Sequence, residues 1–333
     1  MAGSLKELSE LSGYSMNTVS RALRDEDDVK PETKAAIRNL AQQMGYTPNR
    51  VAKSLRLGKT NTIGVVSADS ANPFFAEVII GIEDAARSRN HHMLLVNTEE
   101  DPARELEAIE VLLGRQVDGL LLIPVCGERN NSEYLKTLSI PFELIGRWLP
   151  GLEEHSVLTD EYEKANEITS LFAKNGHRDI LHLSGPTFVS GSLDRLRGYR
   201  DALEEAGIPF RDNLVVMTDG HAEDGYHKTY EAIQSELNFT AIFSFNDLVA
   251  VGALRALKEC GYRVPKDVEV IGFDDLDYSR FLHLSLSSVR IPKQQLGRVA
   301  FEELYEHMRD KSKTYGRRTL ESRIMFRETT LFD

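Results

Sequence analysis

Residues 4–23 read SLKELSELSGYSMNTVSRAL and determine the first part of the fold. Ser4 and Glu7 have the spacing of a capping box, in which the serine oxygen and the glutamate side chain bond the first free N–H groups of a helix. Gly13 is a residue type that commonly ends a helix. The apolar face of this first helix is predicted at Leu5, Leu8 and Leu11.

Two further helices follow in the sequence. Ser15 can cap a second helix from about Met16 to Arg24, and Pro31 can begin a third that ends before Gly45. The inward-facing residues are predicted to be Val19, Leu23, Ile37, Leu40 and Met44. The sequence therefore predicts a small all-α domain in which two short helices meet across a tight turn.

The second of these helices carries side chains suited to DNA. Asparagine pairs with adenine and arginine with guanine in the major groove, so Asn17 and Arg21, with Met16, are candidate base readers. The candidate hydroxyl donors to phosphates are Ser15, Thr18 and Ser20. A structural helical hairpin would show the same pattern, and residues 1–30 alone leave both interpretations open.

The acidic run from Asp25 to Asp28 follows at once. DNA phosphates would repel these carboxylates. We expect the run to form a solvated loop that points away from the duplex, because a loop facing DNA would weaken binding.

Charge is distributed unevenly along the 333 residues. The net charge is -12, yet residues 1–59 contain ten Lys and Arg against seven Asp and Glu, which leaves a head of +3 and a body of -15. A basic head on an acidic body is typical of a protein that contacts DNA through one end.

The sequence favours a cytoplasmic protein without a membrane partner. No stretch approaches the roughly 18 apolar residues of a membrane helix, and the first residues lack the pattern of a secretory signal. Cys126 and Cys260 lie far apart without metal-ligand spacing, which favours free thiols, and we expect no metal and no cofactor.

From Thr62 onward, short apolar runs alternate with longer amphipathic segments, which is typical of mostly parallel sheets covered by helices. The predicted strands are Thr62–Ala68, His92–Asn97, Gly119–Pro124, Phe142–Gly146, Asp179–Ser184, Leu214–Thr218, Ala241–Phe245 and Val268–Phe273. The predicted helices are Phe75–Arg89, Arg104–Arg115, Glu161–Lys174, Leu193–Ala206, Asp224–Ser235, Leu248–Cys260 and Gln294–Met308. Residues 318–328 are predicted as one strand that returns to the body.

So many strands indicate two lobes, with a boundary near Thr159 and Asp160. The first lobe is expected at about 60–159 with part of 290–333, and the second at about 160–289 with the C-terminal remainder. Two doubly wound lobes that face each other leave a cleft at the carboxyl ends of their strands, where such folds bind ligands.

Seven stretches of the chain recur in the same order in a known family. They are Leu5–Leu23, Met44–Asn49, Ala52–Leu55, Thr60–Val66, Asn72–Glu77, Val117–Leu120 and Ile271–Asp275. In these stretches the chain resembles the lactose-repressor/galactose-repressor (LacI/GalR) family of bacterial transcription regulators. The resemblance implies a helix-turn-helix headpiece at 1–47, a hinge helix and linker at 48–59, and a two-lobed body like that of periplasmic binding proteins at 60–333.

The resemblance implies a homodimer that reads a near-palindromic operator in double-stranded DNA. Residues 49–58 form a short helix-permissive stretch that would be marginal alone. In the family the hinge helices fold together in the minor groove, where Leu55 would act as an apolar wedge. The alternative is that Leu55 packs on the body. The hinge residues expected to contact DNA are Asn49, Arg50, Ala52, Leu55 and Arg56.

The resemblance also implies a small-molecule effector in the cleft, namely a sugar, a sugar acid or a sugar phosphate. The expected effector-binding residues are Phe74, Phe75, Arg147, Trp148, Arg195, His221, Asn246, Asp247 and Asp274. Structural roles remain open for several of them: core packing for the phenylalanines, an ion pair for Arg195 and Asp274, and helix capping for Asp247. His221 would equally fit an exposed loop.

The chain departs from many relatives at Gly146, Arg147 and Trp148, near which those relatives have an acidic residue. Arg147 in the cleft would favour an anionic effector.

These features together predict a repressor of carbohydrate-utilisation genes rather than an enzyme. The sequence contains no phosphate-binding glycine loop, no nucleophile elbow and no metal-ligand histidine pair. Two alternatives remain: a solute-binding transport component, and a regulator that answers to a non-sugar metabolite or a protein co-regulator.

Overall fold

The chain divides into two units, Met1–Thr60 and Asn61–Asp333, and the described part of the first unit contains three helices. The computed structural model describes residues 4–46, 59–127 and 130–332. The helices are α1 (Leu5–Ser12), α2 (Met16–Leu23) and α3 (Pro31–Gln43). The capping box at Ser4 is formed, because its N–H donates to Glu7 Oε2 at 2.7 Å and its Oγ accepts from the Glu7 N–H at 3.1 Å.

The headpiece has a small apolar core of its own. Its buried members are Leu8, Val19, Ala22, Val29, Ile37 and Ala41. Leu11 does not join this core: one turn beyond Leu8 on α1, its side chain is 66% exposed. Gly13 adopts a φ of 72°, the left-handed conformation that glycine reaches without steric cost, and so allows the sharp turn into α2.

The first lobe of the second unit contains a six-stranded, fully parallel sheet. Its elements before residue 160 are β1 (Thr62–Ser67), α4 (Pro73–Ser88), β2 (His92–Asn97), α5 (Pro102–Gly114), β3 (Gly119–Leu122), α6 (Ser132–Leu135), β4 (Phe142–Ile145) and β5 (Ser156–Thr159).

The second lobe contains another six-stranded sheet. Its elements are α7 (Glu161–Lys174), β6 (Ile180–Ser184), α8 (Ser190–Glu205), β7 (Val215–Met217), α9 (Ala222–Gln234), β8 (Ala241–Ser244), α10 (Asp247–Glu259), β9 (Glu269–Asp274) and β10 (Ser287–Arg290). The last elements of the chain are α11 (Lys293–Arg309), β11 (Arg318–Leu320) and β12 (Arg323–Met325).

The C-terminal part of the chain contributes to both lobes. The strand order is β11-β5-β4-β3-β1-β2 in the first sheet and β12-β10-β9-β8-β6-β7 in the second, where only β12 is antiparallel to its neighbour. The single strand predicted over 318–328 is therefore wrong, because the segment forms one strand in each lobe and crosses between them at Glu321 and Ser322. The Ser322 N–H donates to Asp160 Oδ1 at 2.9 Å, next to the end of β5, where the chain first passes from the first lobe to the second.

Both sheets are covered by helices on both faces. In the first lobe α4 and α11 pack on one face and α5 on the other, and in the second lobe α7 and α8 oppose α9 and α10. Burial on both sides explains why most strands are continuous apolar runs. The predicted fold class is confirmed. None of the helices that the structure describes is long and apolar enough to cross a membrane.

Candidate DNA-binding and ligand-binding sites

The start of α2 presents free side chains to solvent. Met16 is 53% exposed, and Asn17 is also exposed. Ser15 caps the helix, since its Oγ accepts from the Thr18 N–H at 3.2 Å and lies 2.9 Å from the Thr18 hydroxyl. The two residues that begin the helix therefore remain available for base contacts, whereas Ser15 already serves the helix itself.

Arg21 is held by the acidic run that follows α2. Its Nε donates to Glu26 Oε2 at 2.9 Å, and its guanidinium also pairs with Asp28. Glu26 binds Arg24 as well, at 2.9 Å. The run is exposed to solvent, as expected, but it is not a detached loop, because two of its carboxylates contact a predicted base reader.

Asp25, the first residue of the same run, has different partners. Lys34 Nζ and Arg38 Nη2 lie 3.1 and 2.8 Å from its Oδ1. The hydrogen bond from Lys34, with the nearby charge of Arg38, lowers the pKa of this carboxyl. Asp25 thus ties the acidic run to α3, whereas Glu26 and Asp28 tie it to α2.

The hinge residues predicted to contact DNA lie outside the described residues. They are Asn49, Arg50, Ala52, Leu55 and Arg56.

A cavity of about 340 Å³ lies between the two lobes of the second unit. Its walls come from the residues that follow the parallel strands at their carboxyl ends, which is where doubly wound sheets place ligand sites. It is lined by Asp69, Asn72, Phe74, Phe75, Glu99, Glu100, Ile123, Ile145, Gly146, Arg147, Thr159, Glu161, Pro186, Phe188, Val189, Gly191, Arg195, Asp219, Gly220, His221, Phe245, Asn246 and Asp274.

Most of the predicted effector residues line this cavity. They are Phe74, Phe75, Arg147, Arg195, His221, Asn246 and Asp274. Trp148 and Asp247 do not line it.

Phe74 stands at the junction of the two lobes. Asn72 caps α4 by accepting from the Phe74 N–H at 3.0 Å, which fixes the start of the helix at the cavity wall. The Phe74 ring packs against the apolar cores of both lobes and meets Phe75 edge to face, with 5.2 Å between centroids. An aromatic wall in this place can stack on a ring-shaped ligand.

Arg147 is buried and already paired. Its Nη1 and Nη2 donate to the two carboxylate oxygens of Glu100 at 2.8 and 2.6 Å, and Nη1 also reaches the Pro124 carbonyl at 3.1 Å. A bidentate pair of this kind neutralises the guanidinium. The structure therefore gives no support to the expectation that Arg147 favours an anionic effector, because Glu100 already binds both terminal nitrogens of the guanidinium.

Arg195 is held in a similar way in the second lobe. Its Nε donates to Glu161 Oε2 at 2.5 Å, and its Nη1 donates to the Phe245 carbonyl. The guanidinium also lies 3.7 Å from the centroid of the Phe273 ring. The structural ion pair that was left open for Arg195 exists, but its partner is Glu161 rather than Asp274.

Asp274 ends β9 at the cavity, with only 5% of its surface exposed. Among the described residues its carboxylate makes no hydrogen bond, and its backbone carbonyl accepts from Lys293 Nζ at 2.7 Å. Burial raises the pKa of this carboxyl well above its ordinary value, against the opposing charge of Arg195. Its φ of 107° is a strained backbone conformation of the kind found at ligand sites.

Asn246 caps a helix, whereas Asp247 accepts buried hydrogen bonds. Asn246 caps α10, since its Oδ1 accepts from the Val249 N–H at 2.8 Å, so the capping role that was left open for Asp247 belongs to its neighbour. Asp247 is fully buried. Its carboxylate accepts from the Leu276 N–H at 2.8 Å and from the Ser279 and Ser288 hydroxyls, both at 2.5 Å.

Trp148 and His221 connect the lobes at the edge of the cavity. The Trp148 N–H donates to Ser190 Oγ at 3.1 Å, and its indole N–H donates to Asp194 Oδ2 at 3.4 Å. The His221 ring, with a side chain 60% exposed, lies 3.5 Å from the Asp69 carboxylate of the first lobe. These contacts join one lobe to the other, so each of them depends on the distance between the lobes.

Sequence reasoning missed several acidic and aromatic wall residues. They are Asp69, Glu99, Glu100, Glu161, Phe188 and Asp219. The signal that could have found them is position, because each follows the carboxyl end of a strand. Among the described residues, no group of three or more His, Cys, Asp and Glu side chains is arranged to hold a metal ion.

A helix-turn-helix headpiece followed by a two-lobed body with an interlobe cavity defines a class of protein, the ligand-responsive DNA-binding regulators. Residues 4–49 match the family model of bacterial regulatory proteins of the lacI family, and residues 169–330 match that of the periplasmic binding protein-like domain. The chain belongs to the LacI family of transcription repressors.

The relatives cover nearly the full length of the chain. The ribose operon repressor of Haemophilus influenzae is 30% identical over 326 residues, which are 98% of each protein. The structure of the transcriptional regulator CelR in complex with cellobiose is 28% identical, with a TM-score of 0.76, and covers 98% of this chain and 99% of that one. The lac repressor dimer bound to operator and the anti-inducer ONPF has a TM-score of 0.91 at 23% identity, over 100% of both chains, and shows the same fold.

Proposed function

We propose that this repressor binds a near-palindromic operator as a homodimer, and that a hydroxylated, ring-shaped small molecule in the interlobe cavity controls its affinity for DNA. The single observation that carries the proposal is the cavity itself, which is lined from both lobes by Phe74, Arg195 and Asp274. A ligand that touches both lobes has different contacts in their open and closed arrangements, and only such a difference can shift an equilibrium.

The chemistry of the cavity supports a sugar as the effector. A volume of about 340 Å³ suits a small ligand. Aromatic rings at Phe74 and Phe188 offer stacking surfaces, and the Asp274 carboxylate can accept hydrogen bonds from ligand hydroxyls. Two of the relatives named above also point to carbohydrates, through a ribose operon in one case and bound cellobiose in the other.

The surface of the first lobe supports the homodimer. Strand β2 lies at the edge of its sheet, where Leu94 and Leu95 are 40% and 43% exposed. Ile80 on α4 is exposed as well. Apolar side chains on an edge strand are a liability in a monomer and are covered in an assembly. A symmetric dimer carries two headpieces and therefore reads an inverted repeat.

The proposed role is binding rather than catalysis, and a regulator of chromosomal DNA would act in the cytoplasm. The hinge residues Asn49, Ala52 and Leu55 remain predicted DNA contacts. The wedge proposed for Leu55 would couple lobe closure to the bending of the operator.

Selection of sites from random double-stranded DNA tests the first half of the proposal. The full chain should enrich one inverted repeat, whose affinity should change at least about tenfold when the effector is present. Enrichment of no common sequence, or of a single half-site only, would count against a homodimeric operator-binding repressor.

Trp148 provides the readout for the second half. It is the only tryptophan in the chain and sits at an interlobe contact, so its fluorescence should change when a ligand alters lobe closure. A sugar that changes operator affinity without changing this fluorescence would place the effector site elsewhere.

A further inference from the structure

The interlobe cavity has an acidic wall. It is lined by two guanidinium groups, those of Arg147 and Arg195, and by six carboxylates. The carboxylates are those of Asp69, Glu99, Glu100, Glu161, Asp219 and Asp274. The described wall contains no lysine, and His221 at its rim lies beside two of the carboxylates, Asp69 and Asp219.

Each guanidinium already has a carboxylate partner. Glu100 holds Arg147 through two hydrogen bonds, and Glu161 holds Arg195 through one at 2.5 Å. The Thr159 hydroxyl donates to the other oxygen of Glu161 at 2.6 Å, which fixes that carboxylate in place. A phosphate or carboxylate on a ligand would have to compete with these two carboxylates for the guanidinium groups.

The Asp274 carboxylate differs from these paired groups, although the charges of Arg195 and Lys293 act on it. It is more than nine-tenths buried, borders the cavity and makes no side-chain hydrogen bond among the described residues. Burial raises its pKa, which means that the negative charge is disfavoured where it stands. A cation or a set of hydroxyl donors inside the cavity would supply the missing partner.

We propose that the cavity selects against anions, and that its ligand is a hydroxyl-rich ring that carries no phosphate or carboxylate and binds more tightly when it bears an ammonium group against Asp274. This inference rests on the proposed function, because it takes the interlobe cavity as the effector site. It narrows the sugar class to neutral sugars and amino sugars.

Physical chemistry favours this choice on two counts. Like charges repel each other more strongly where water is partly excluded, so an anionic ligand beside Asp69 and Asp219 is penalised. The faces of Phe74 and Phe188 are negative in their quadrupole and attract an ammonium group as well as a sugar ring.

The first experiment compares matched ligands on the full chain. Hexoses of the gluco, galacto and manno series are titrated as the 2-amino sugar, the neutral sugar, the uronate and the 6-phosphate, at constant ionic strength, with Trp148 fluorescence as the readout. In any series that binds, we expect the amino and neutral forms to bind at least ~10-fold more tightly than the two anionic forms, with the amino form tightest. Tighter binding of the uronate or the phosphate would overturn the proposal, and so would a neutral sugar that binds more tightly than its amino form.

The second experiment needs no knowledge of the ligand, because its probe is inorganic phosphate. Thermal unfolding is recorded with and without millimolar phosphate for the wild type, Glu100→Gln and Glu99→Gln. Glu99 is the matched control: it lines the same cavity but pairs with Arg104 instead of Arg147. Phosphate should leave the melting temperatures of the wild type and Glu99→Gln unchanged and raise that of Glu100→Gln, in which Arg147 is released.

The possible outcomes distinguish a failure of the selection against anions from a failure of the proposed sugar effector. Stabilisation of the wild type by phosphate, lost in Arg147→Gln, would overturn the selection against anions. An equal response of the two Gln variants, or no response in Glu100→Gln, would refute the role given to the Arg147–Glu100 pair. If none of the sugars binds while operator binding is intact, the sugar effector of the proposed function fails, and the phosphate experiment still decides the charge selection.

Discussion

The Nε of Arg21 donates a hydrogen bond to Oε2 of Glu26 at 2.9 Å within the headpiece. Arg21 is the side chain with which α2 is expected to read a guanine, so Glu26 and DNA compete for one guanidinium. Every DNA sequence must break this contact before Arg21 can bind a base. A guanine in the right place offers two new hydrogen bonds in exchange, and we infer that the acidic run lowers the affinity of the protein for its operator by the cost of breaking this contact.

Replacing Glu26 should strengthen DNA binding. Glu26→Gln removes the competitor of DNA and one charge that phosphates repel, so affinity for random DNA should rise about 2- to 5-fold, the range of one exposed ion pair. The rise for the operator should be at least as large, because Arg21 must leave Glu26 to bind guanine, whereas on random DNA it can keep this partner. Fluorescence anisotropy at several salt concentrations measures both affinities.

Asp25→Asn is the matched control, because it removes the same charge but its partners are Lys34 and Arg38. Equal gains in DNA affinity from the two variants would show that only net charge matters.

Removing Arg21 should relax base selectivity. Arg21→Ala is expected to lose about 1–3 kcal/mol of discrimination at one base position of each half-site. Arg24→Ala is the control, since Arg24 shares the Glu26 partner but stands at the end of α2. It should weaken binding evenly across a panel of operator variants. Unchanged selectivity in Arg21→Ala would remove Arg21 from the list of base readers.

The sequence predicted the fold well where local chemistry decides it. The capping box at Ser4, the turn at Gly13 and the apolar strands all form as expected, because caps and two-sided burial leave a signature in neighbouring residues. Strands β5 and β10 were missed because each has only four residues and begins with serine. The Ser287 and Ser288 hydroxyls are buried against Thr330 and Asp247, partners that are distant in sequence.

The candidate sites, too, contain some features that could be predicted from the sequence and others that could not. Phe74, Arg195 and Asp274 were expected at the cavity from family resemblance, and the structure brings them there. The pairing of Arg147 with Glu100 could not be predicted, because the two residues follow different strands and are 47 positions apart in sequence. The positive charge of Arg147, taken from the sequence alone, suggested an anionic effector. Its pairing with Glu100 in the structure suggests an effector without negative charge.

Asp247 should matter for stability rather than for ligand binding. Asp247→Ala leaves the Leu276 N–H and the hydroxyls of Ser279 and Ser288 without their acceptor in the core of the second lobe. The loss of these buried hydrogen bonds is expected to reduce the free energy of unfolding by about 2–4 kcal/mol in urea titrations. Protein that remains folded should keep its ligand affinity.

Asp267→Ala is the surface control. It should change the free energy of unfolding little, because the pair that Asp267 forms with Arg263 is exposed. A ligand defect in Asp247→Ala at full stability would contradict the structural role.

The buried carboxyl of Glu143 should make the first lobe less stable as pH rises. It is buried on β4, with its Oε1 3.3 Å from the Nε2 of His307, and burial raises its pKa from 4.5 to about 9. Because the folded-state pKa exceeds the unfolded value, this group favours folding fully below about pH 4.5, and its contribution is lost as pH rises toward about 9. Glutamine mimics the protonated carboxyl, so Glu143→Gln should unfold at a higher temperature than the wild type at pH 8, with a smaller difference at pH 5.

Glu303 supplies a control of opposite sign in the same part of the lobe. Burial acts to raise its pKa, but the hydrogen bonds from Lys313 and Arg318 outweigh burial and lower the pKa. Its contribution to stability is therefore present above its ordinary pKa and is lost as pH falls, so Glu303→Gln should destabilise the protein at pH 8 and progressively less under acidic conditions. Melting temperatures of both variants between pH 5 and pH 8 test the pair. Parallel profiles for Glu143→Gln and the wild type would mean that Glu143 is ionised in the folded protein, with its charge stabilised at a site where burial alone disfavours it.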